Sequence, residues 1–216
     1  MFDLLLKVIA LGIASAMSPV IFGVALSILA SGKGRMGRIT AYLAGGILSA
    51  AIVLLAGALI GNHAFSFKGS REVAYLDLFI GLVFIIFASM QFLGKERGFK
   101  AGKGAGPGKW LAISFILNIT NLDAEVLYFT AAKEVFQSGI PPASQSLLVL
   151  LGTLFFLSPT LLPLAAFIAM PERFGQLLKP VGAAMAKYGK YIVSLIFAGF
   201  GAYLFWRGLA ILVPIG

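Results

Sequence analysis

Five polar side chains stand close together inside a long apolar run and could carry the chemistry of this chain: Asn118, Thr120, Asn121, Asp123 and Glu125. An ionisable group at such depth in an apolar layer costs roughly 2–4 kcal/mol, so by default it marks a pathway or a binding site. A carboxylate there can take up and release a proton, or remain ionised beside a cation. The stretch therefore predicts ion or proton handling inside a membrane.

The spacing of these residues separates a principal carboxylate from a secondary one. Asp123 and Glu125 are two residues apart, so on a regular helix they point about 200° apart. Asn118, Asn121 and Glu125 are spaced so that they share one face of such a helix. We therefore predict that Glu125 is the principal titrating or coordinating group and that Asp123 is second. The alternative is a neutral, hydrogen-bonded Glu125 with a structural role.

Two further segments predict interruptions of helices at a similar depth. Pro19 lacks a backbone donor and clashes with the preceding turn, and Ser18 can hydrogen-bond the backbone groups that this leaves unpaired. The segment Ser158-Pro159-Thr160 has the same character. Together with the polar stretch above, these segments predict three broken helices around one cavity. The alternative is that the prolines only shape helix packing.

The composition places these residues in a membrane protein. The chain has 216 residues, of which 60% are hydrophobic and 12% charged, whereas soluble domains have about 25% charged residues. A run of about 20 apolar residues spans a bilayer core of ~30 Å. We predict an all-α, polytopic membrane protein whose six transmembrane helices cover residues 4–30, 39–61, 74–94, 110–136, 145–170 and 188–213.

The basic residues indicate an orientation. Of the 17 Lys and Arg residues, 12 lie in three connections, at 31–38, 95–109 and 171–190. Because cytoplasmic loops are enriched in Lys and Arg, we predict that these connections are cytoplasmic and that both termini are extracytoplasmic, with the chain in the cell (inner or plasma) membrane. The net charge of +9 then reflects topology and contact with anionic lipid headgroups, and no nucleic acid is expected as a partner.

The two halves of the chain predict an internal repeat. Sliding one half over the other by 100 residues places Ser18-Pro19 over Asn118-Ile119, and three spans in each half require opposite insertion. This predicts an inverted 3+3 repeat, which places a substrate site near the membrane midplane where broken helices meet. The predicted divisions are a first repeat over residues 1–94, a basic Gly-rich cytoplasmic linker over 95–109 and a second repeat over 110–216.

Several classes of protein are disfavoured. The chain has no cysteine and one histidine, which argues against thiol redox chemistry and a metal centre. It has no nucleotide-binding loop, and no aspartate on another span is placed to form a dyad with Asp123 or Glu125, so we do not predict an enzyme. No cofactor is expected besides a proton or sodium gradient. Small residues such as Gly57 and Gly61 permit close helix approach within a subunit or between two subunits, which leaves a homodimer open.

Two features together resemble the lysine-exporter (LysE) superfamily. One is Met17-Ser18-Pro19-Val20, followed by a short basic loop and a Gly-rich second span. The other is Asn118-Ile119-Thr120-Asn121-Leu122, where relatives often have Asn-Pro-Lys-Asn-Leu. Within the superfamily, this combination is most similar to the lipid-addressing (GAP) branch. Ile119 and Thr120 stand where the motif has Pro and Lys, so any family role of that lysine is absent here.

The resemblance implies export of a small solute or movement of a lipid, driven by the membrane gradient. Our first expectation is a secondary transporter that exports a small cationic or amino-acid-like solute by alternating access, with Glu125 coupling proton or ion movement. The alternative is a lipid or glycolipid translocation or addressing protein whose basic face gathers anionic headgroups. In that alternative, neutralising Lys100, Lys103 and Lys109 reduces activity more than Glu125→Gln does.

Overall fold

The computed structural model describes residues 1–31, 33–66, 71–93 and 106–213. All regular structure in these residues is helical, which confirms the predicted all-α class. Four helices are long and apolar enough to cross a membrane by themselves, and two bent helix pairs each pass the same test together. The eight helices are α1 (Phe2–Ser15), α2 (Pro19–Ala30), α3 (Arg35–Ser66), α4 (Arg71–Leu93), α5 (Pro107–Ile119), α6 (Leu122–Gln137), α7 (Pro142–Ala169) and α8 (Phe174–Leu212).

The first span is broken where the sequence predicts it. α1 ends at Ser15 and α2 begins at Pro19, with a bend of 61° between them. Ser18 has extended backbone angles, φ −111° and ψ 91°, as expected for a residue before proline. Pro19 then occupies the first helical position of α2, where its missing N–H costs nothing.

The fourth span is broken at its amides. α5 ends at Ile119 and α6 begins at Leu122, with a bend of 74°. Asn118 donates to the Ser114 carbonyl at 2.8 Å, and the Thr120 hydroxyl donates to a carbonyl of the same helix at 2.6 Å. Side chains that hydrogen-bond the backbone in this way weaken the helix, so this predicted break is also confirmed.

The prediction of a third break in the fifth span is wrong. α7 runs without interruption through Ser158, Pro159 and Thr160. Pro159 cannot donate to the carbonyl of Phe155, but the Ser158 hydroxyl donates to that oxygen at 2.7 Å. The carbonyl that the proline would leave unpaired is therefore satisfied from within the helix, and the helix continues.

The last helix is longer than predicted. α8 contains 39 residues, or about 58 Å of helix, nearly twice the thickness of a bilayer core. The segment 171–187, expected to be a connection, is helical from Phe174 onward even though Pro180 lies inside it. The predicted linker 95–109 lies mostly outside the described residues, and its last residues begin α5.

The helices pack so that the bundle has two chemically different ends. The Lys7 ammonium in α1 donates to the Tyr203 hydroxyl in α8 at 2.9 Å, which places the start of the chain beside its last helix. We call this the terminal end. At the other end, the Arg35 guanidinium at the start of α3 lies 4.3 Å from the ring centre of Phe167 near the end of α7. We call this the basic end.

Close approach between helices depends on glycine. A Cβ atom at Gly45 in α3 would overlap the backbone oxygen of Leu111 in α5, and one at Gly57 would lie 2.7 Å from the Cβ of Ala132 in α6. The small residues predicted to allow close packing therefore do so within the subunit. The homodimer, the inverted repeat and the division of the chain into two repeats stay predictions.

Candidate functional site

The two helix breaks meet inside the bundle. The Asn121 amide at the start of α6 donates to the Ser18 hydroxyl at 3.2 Å, across 103 residues of sequence. Ser18 is buried and Asn121 is half-buried. The sequence predicted that these segments would line one region, and the structure brings them into direct contact.

Glu125 lies on α6 one turn beyond this junction and is buried. Its Oε1 accepts a hydrogen bond of 2.5 Å from the Ser49 hydroxyl of α3. Its Oε2 is also buried and has no hydrogen-bond partner among the described residues. A buried carboxyl oxygen without a partner is costly, because the desolvation is not repaid by a hydrogen bond. The site can therefore accept a proton, a cation or a donor group at Oε2.

The depth of the carboxylate follows from its partner. Ser49 lies close to the middle of the apolar run 39–61 of α3. At 1.5 Å per residue, it is on the order of 15 Å from either end of that run. Glu125 therefore lies beside the middle of this apolar run.

Asn118 approaches the same part of α3 from the end of α5. A Cβ atom at Gly46 would lie 3.5 Å from the Asn118 side-chain nitrogen. The Asn118 side-chain nitrogen donates to the carbonyl and the hydroxyl of Ser114. It therefore lines the site without bonding to Glu125. The regular helical face that was predicted for Asn118, Asn121 and Glu125 does not exist, because the α5–α6 break separates the first of them from the others.

Tyr128 extends the site toward α7. Its hydroxyl is 2.7 Å from that of Thr153, and its ring stacks on Phe156 with 4.8 Å between ring centres. Beyond the tyrosine, on the side of the terminal end, is a small apolar cavity lined by Val8, Leu54, Tyr128, Ala131, Ala132, Val135, Leu148, Val149 and Gly152. The polar groups around Glu125 therefore give way to an apolar lining within about two turns of α6.

The other predicted residues lie apart from Glu125. Asp123 is half-buried in the first turn of α6 and accepts hydrogen bonds from the backbone amides of that turn, a favourable position for a carboxylate. Thr120 is exposed. Ser158 and Thr160 lie on the unbroken α7, where Ser158 bonds within its own helix and Thr160 is buried.

A second polar cluster, at the terminal end, was not predicted as a site. Lys133 and Asp77 are fully buried and pair at 2.8 Å. Arg207 donates to both oxygens of Asp77 at 2.7 Å, and to both oxygens of Glu134 at 2.9 and 3.1 Å. Lys7 completes this ion cluster at 3.6 Å from Glu134.

The ion cluster corrects one prediction and decides another. Lys133-Glu134 lies near the end of an apolar run, a position typical of an interfacial pair, but both residues are buried. Asp77 and Arg207 lie near the ends of two other apolar runs, where either an ion pair or separate contacts with the interface would fit the sequence, and the ion pair is present. Its signal in the sequence was the occurrence of charges of both signs near the ends of three apolar runs, since buried charges require partners.

The α5–α6 break also reaches the outer surface of the bundle. Thr120 and Leu122 on either side of Asn121 are exposed, Leu122 by 55%. Ile116, one turn earlier, is 56% exposed. The junction between the breaks therefore has an apolar rim at mid-depth.

Comparison with known proteins identifies the family. A family model described as "Sap, sulfolipid-1-addressing protein" matches residues 8–210. The chain belongs to this family. The match includes both helix breaks and most of the ion cluster, and it supports the lipid-addressing branch of the resemblance seen in the sequence. No curated protein and no solved structure matches the chain.

Proposed function

We propose that this protein moves or presents an anionic amphipathic lipid or glycolipid within the membrane, with the headgroup passing the junction of the two broken helices. Two facts support a lipid substrate: membership of a family whose description names the addressing of a sulfolipid, and a net charge of +9 concentrated in the connections between apolar runs. Basic segments next to a bilayer attract anionic headgroups.

The observation that carries the proposal is the exposure of the α5–α6 break at mid-depth. A lipid whose tails stay in the bilayer needs polar protein groups that can be reached sideways, because its headgroup cannot cross hydrocarbon alone. Asn121 offers such a group beside the exposed Thr120, and it connects directly to Ser18 in the other break. The exposed Ile116 and Leu122 suit contact with acyl chains.

The test is a lipid-flip assay in reconstituted vesicles. Fluorescent phosphatidylglycerol in the inner leaflet becomes accessible to a membrane-impermeant quencher only after crossing. We expect Asn121→Leu to slow crossing at least tenfold, because it removes the polar contact while keeping the branched shape of the side chain. Thr40→Val, a comparable loss of polarity on exposed α3 away from the breaks, should leave the rate unchanged. Equal rates in vesicles with and without protein would refute a translocation function.

A second candidate is a proton- or ion-coupled exporter of a small solute. It is favoured by one observation: the Oε2 atom of Glu125 is buried and has no hydrogen-bond partner in the described part of the chain. Inward-facing carboxylates in membrane helices commonly mark ion or proton routes. Thermal-shift measurements with soluble amino acids distinguish the candidates: stabilisation that disappears in Glu125→Gln supports the exporter.

The two candidates also differ in their dependence on the basic residues before and at the start of α5. For lipid handling, replacing Lys100, Lys103 and Lys109 with Gln should reduce activity more than Glu125→Gln does, because these charges gather the substrate. For solute export the order is reversed. The activity ratio of the two variants in one assay therefore separates them.

A further inference from the structure

The last helix has a long segment that precedes its contact with Phe92. Among the described residues α8 packs along α4, and Tyr191 of α8 contacts Phe92 of α4, with ring centres 6.1 Å apart. α8 begins at Phe174, and we call the part of α8 that precedes Tyr191 the extension. About 17 residues of α8, or roughly 25 Å of helix, therefore lie beyond this contact toward the basic end.

One side of this extension packs against the broken first span. Leu178 and Met185 are buried with Phe22 of α2. A Cβ atom at Gly182 would lie 3.2 Å from the Phe22 ring, and one at Gly189 would lie 3.7 Å from the Met17 carbonyl oxygen. The four α8 positions repeat at helical spacing and form one stripe. At Gly189 this stripe touches the α1–α2 break itself.

The residues on either side of Gly189 are basic and aromatic. Lys187, Tyr188 and Tyr191 are exposed, and Lys190 is half-buried. The two ammonium groups lie 4.9 and 5.0 Å from the ring centres of the neighbouring tyrosines. In the described part of the chain, no carboxylate forms an ion pair with either lysine. The pair of cations therefore keeps its charge available to an anion.

We propose that Lys187 and Lys190, together with the hydroxyls of Tyr188 and Tyr191, bind the headgroup of an anionic lipid beside the α1–α2 break. Residues three apart project from one side of a helix, so both ammonium groups can reach the same anion. Tyrosine at a membrane interface holds its ring among the acyl chains and its hydroxyl among the headgroups. This binding site lies next to the junction of the breaks. Its place in lipid movement rests on the function proposed above.

Binding is measured on the purified full-length protein in neutral detergent by titration with dioctanoyl phosphatidylglycerol. Lys187→Gln/Lys190→Gln should weaken binding about tenfold, because each basic residue near an anionic lipid contributes a modest, additive attraction. Arg173→Gln/Lys179→Gln is the matched control. It removes the same charge from exposed positions of the same extension and should leave the affinity within about twofold. Lys187→Arg/Lys190→Arg should retain binding, because it keeps both charges, and equal thermal unfolding temperatures of the Gln variant and the unchanged protein exclude misfolding.

Three results would overturn the site: equal weakening in both Gln double variants, no weakening in either, or equal binding of dioctanoyl phosphatidylcholine. Displacement of the lipid by millimolar inorganic phosphate would also overturn it, because the site would then bind a free anion. The vesicle assay separates this proposal from the proposed function. If the protein binds the lipid at this site but no lipid crosses the vesicle membrane, translocation alone is refuted. If a variant that no longer binds still moves lipid at an unchanged rate, the site does not take part in the crossing.

Discussion

Two buried glutamates on α6 illustrate opposite uses of charge. Glu125 and Glu134 are nine residues apart, about 13 Å along the helix, and each is 6% exposed. Glu134 pairs with Arg207, Lys133 and Lys7. Among the residues that the structure describes, Glu125 has a single partner, the Ser49 hydroxyl, and its Oε2 has none. A fully paired carboxylate holds helices together, whereas a half-satisfied one is available for a ligand or a proton.

Charge balance explains why the ion cluster tolerates burial. Three cations face three carboxylates, since Lys7 also pairs with Asp3 at 3.3 Å. The pairs connect α1, α4, α6 and α8 at the terminal end. Within the described part of the chain no ion pair involves Glu125, and its hydrogen-bond partner is the Ser49 hydroxyl. The comparison predicts that mutations in the ion cluster affect mainly stability and that mutations around Glu125 affect mainly activity.

The largest effect is expected for Arg207→Ala. It removes four hydrogen bonds and leaves Asp77 and Glu134 to share the remaining lysines. Breaking a buried ion pair by removing one partner costs about 3–5 kcal/mol. The free energy of unfolding in mixed micelles, measured by denaturant titration, should fall by that amount. Arg71→Ala, an exposed arginine at the same end of the bundle, is the control. Similar stability of the two variants would show that the ion cluster does not hold the terminal end together.

The substitutions Glu134→Gln and Glu125→Gln directly test the difference between the two glutamates. The first leaves Arg207 and Lys133 with one carboxylate fewer and should cost about 2–3 kcal/mol of unfolding free energy. The second should cost less than about 1 kcal/mol, because the glutamine carbonyl can still accept from Ser49. Unfolding titrations and a transport assay on the same samples report both properties. Equal destabilisation by the two substitutions would remove the distinction between the glutamates.

Much of this architecture could be predicted from composition and hydrophobic runs, but the two Ser-Pro dipeptides show the limit. Ser18-Pro19 interrupts a span, whereas Ser158-Pro159 lies inside an unbroken helix. In α7 the Ser158 hydroxyl donates a hydrogen bond to the carbonyl that the proline leaves unpaired. In the first span, Ser18 has left the helix and its hydroxyl meets Asn121 instead. The outcome depends on a tertiary contact, which local sequence does not encode.

The partner of Glu125 could not be predicted from the sequence for a related reason. Glu125 was recognisable because an acid inside an apolar run is unusual. Ser49 was not, because a serine in a Gly- and Ala-rich helix also fits close helix packing. Likewise Lys133-Glu134 at the end of an apolar run is typical of an interface, and only the positions of Asp77 and Arg207 show that the pair is buried.

A smaller effect is expected for Ser49→Ala, which removes the hydroxyl that donates to Glu125. Loss of a hydrogen bond to a charged or polar buried group costs about 1–2 kcal/mol of unfolding free energy. Ser49→Thr keeps the hydroxyl and should recover most of that stability. If the Ser49 hydrogen bond positions Glu125 for its function, Ser49→Ala should also change the activity, whereas Ser49→Thr should preserve it. A change in stability with no change in activity would assign the serine and the glutamate a purely structural role.

The smallest effect is expected at the edge of the ion cluster, for Lys7→Gln. The Lys7 side chain is 17% exposed, and its distances to Asp3 and Glu134 are 3.3 and 3.6 Å. An ion pair at that exposure is partly screened by solvent and contributes about 0.5–1 kcal/mol. Because Arg207 and Lys133 still pair with Glu134 in this variant, the unfolding free energy should change far less than in Arg207→Ala. A loss as large as that of Arg207→Ala would show that the cluster acts as one unit, with stability that depends on the full set of charges rather than on its buried centre.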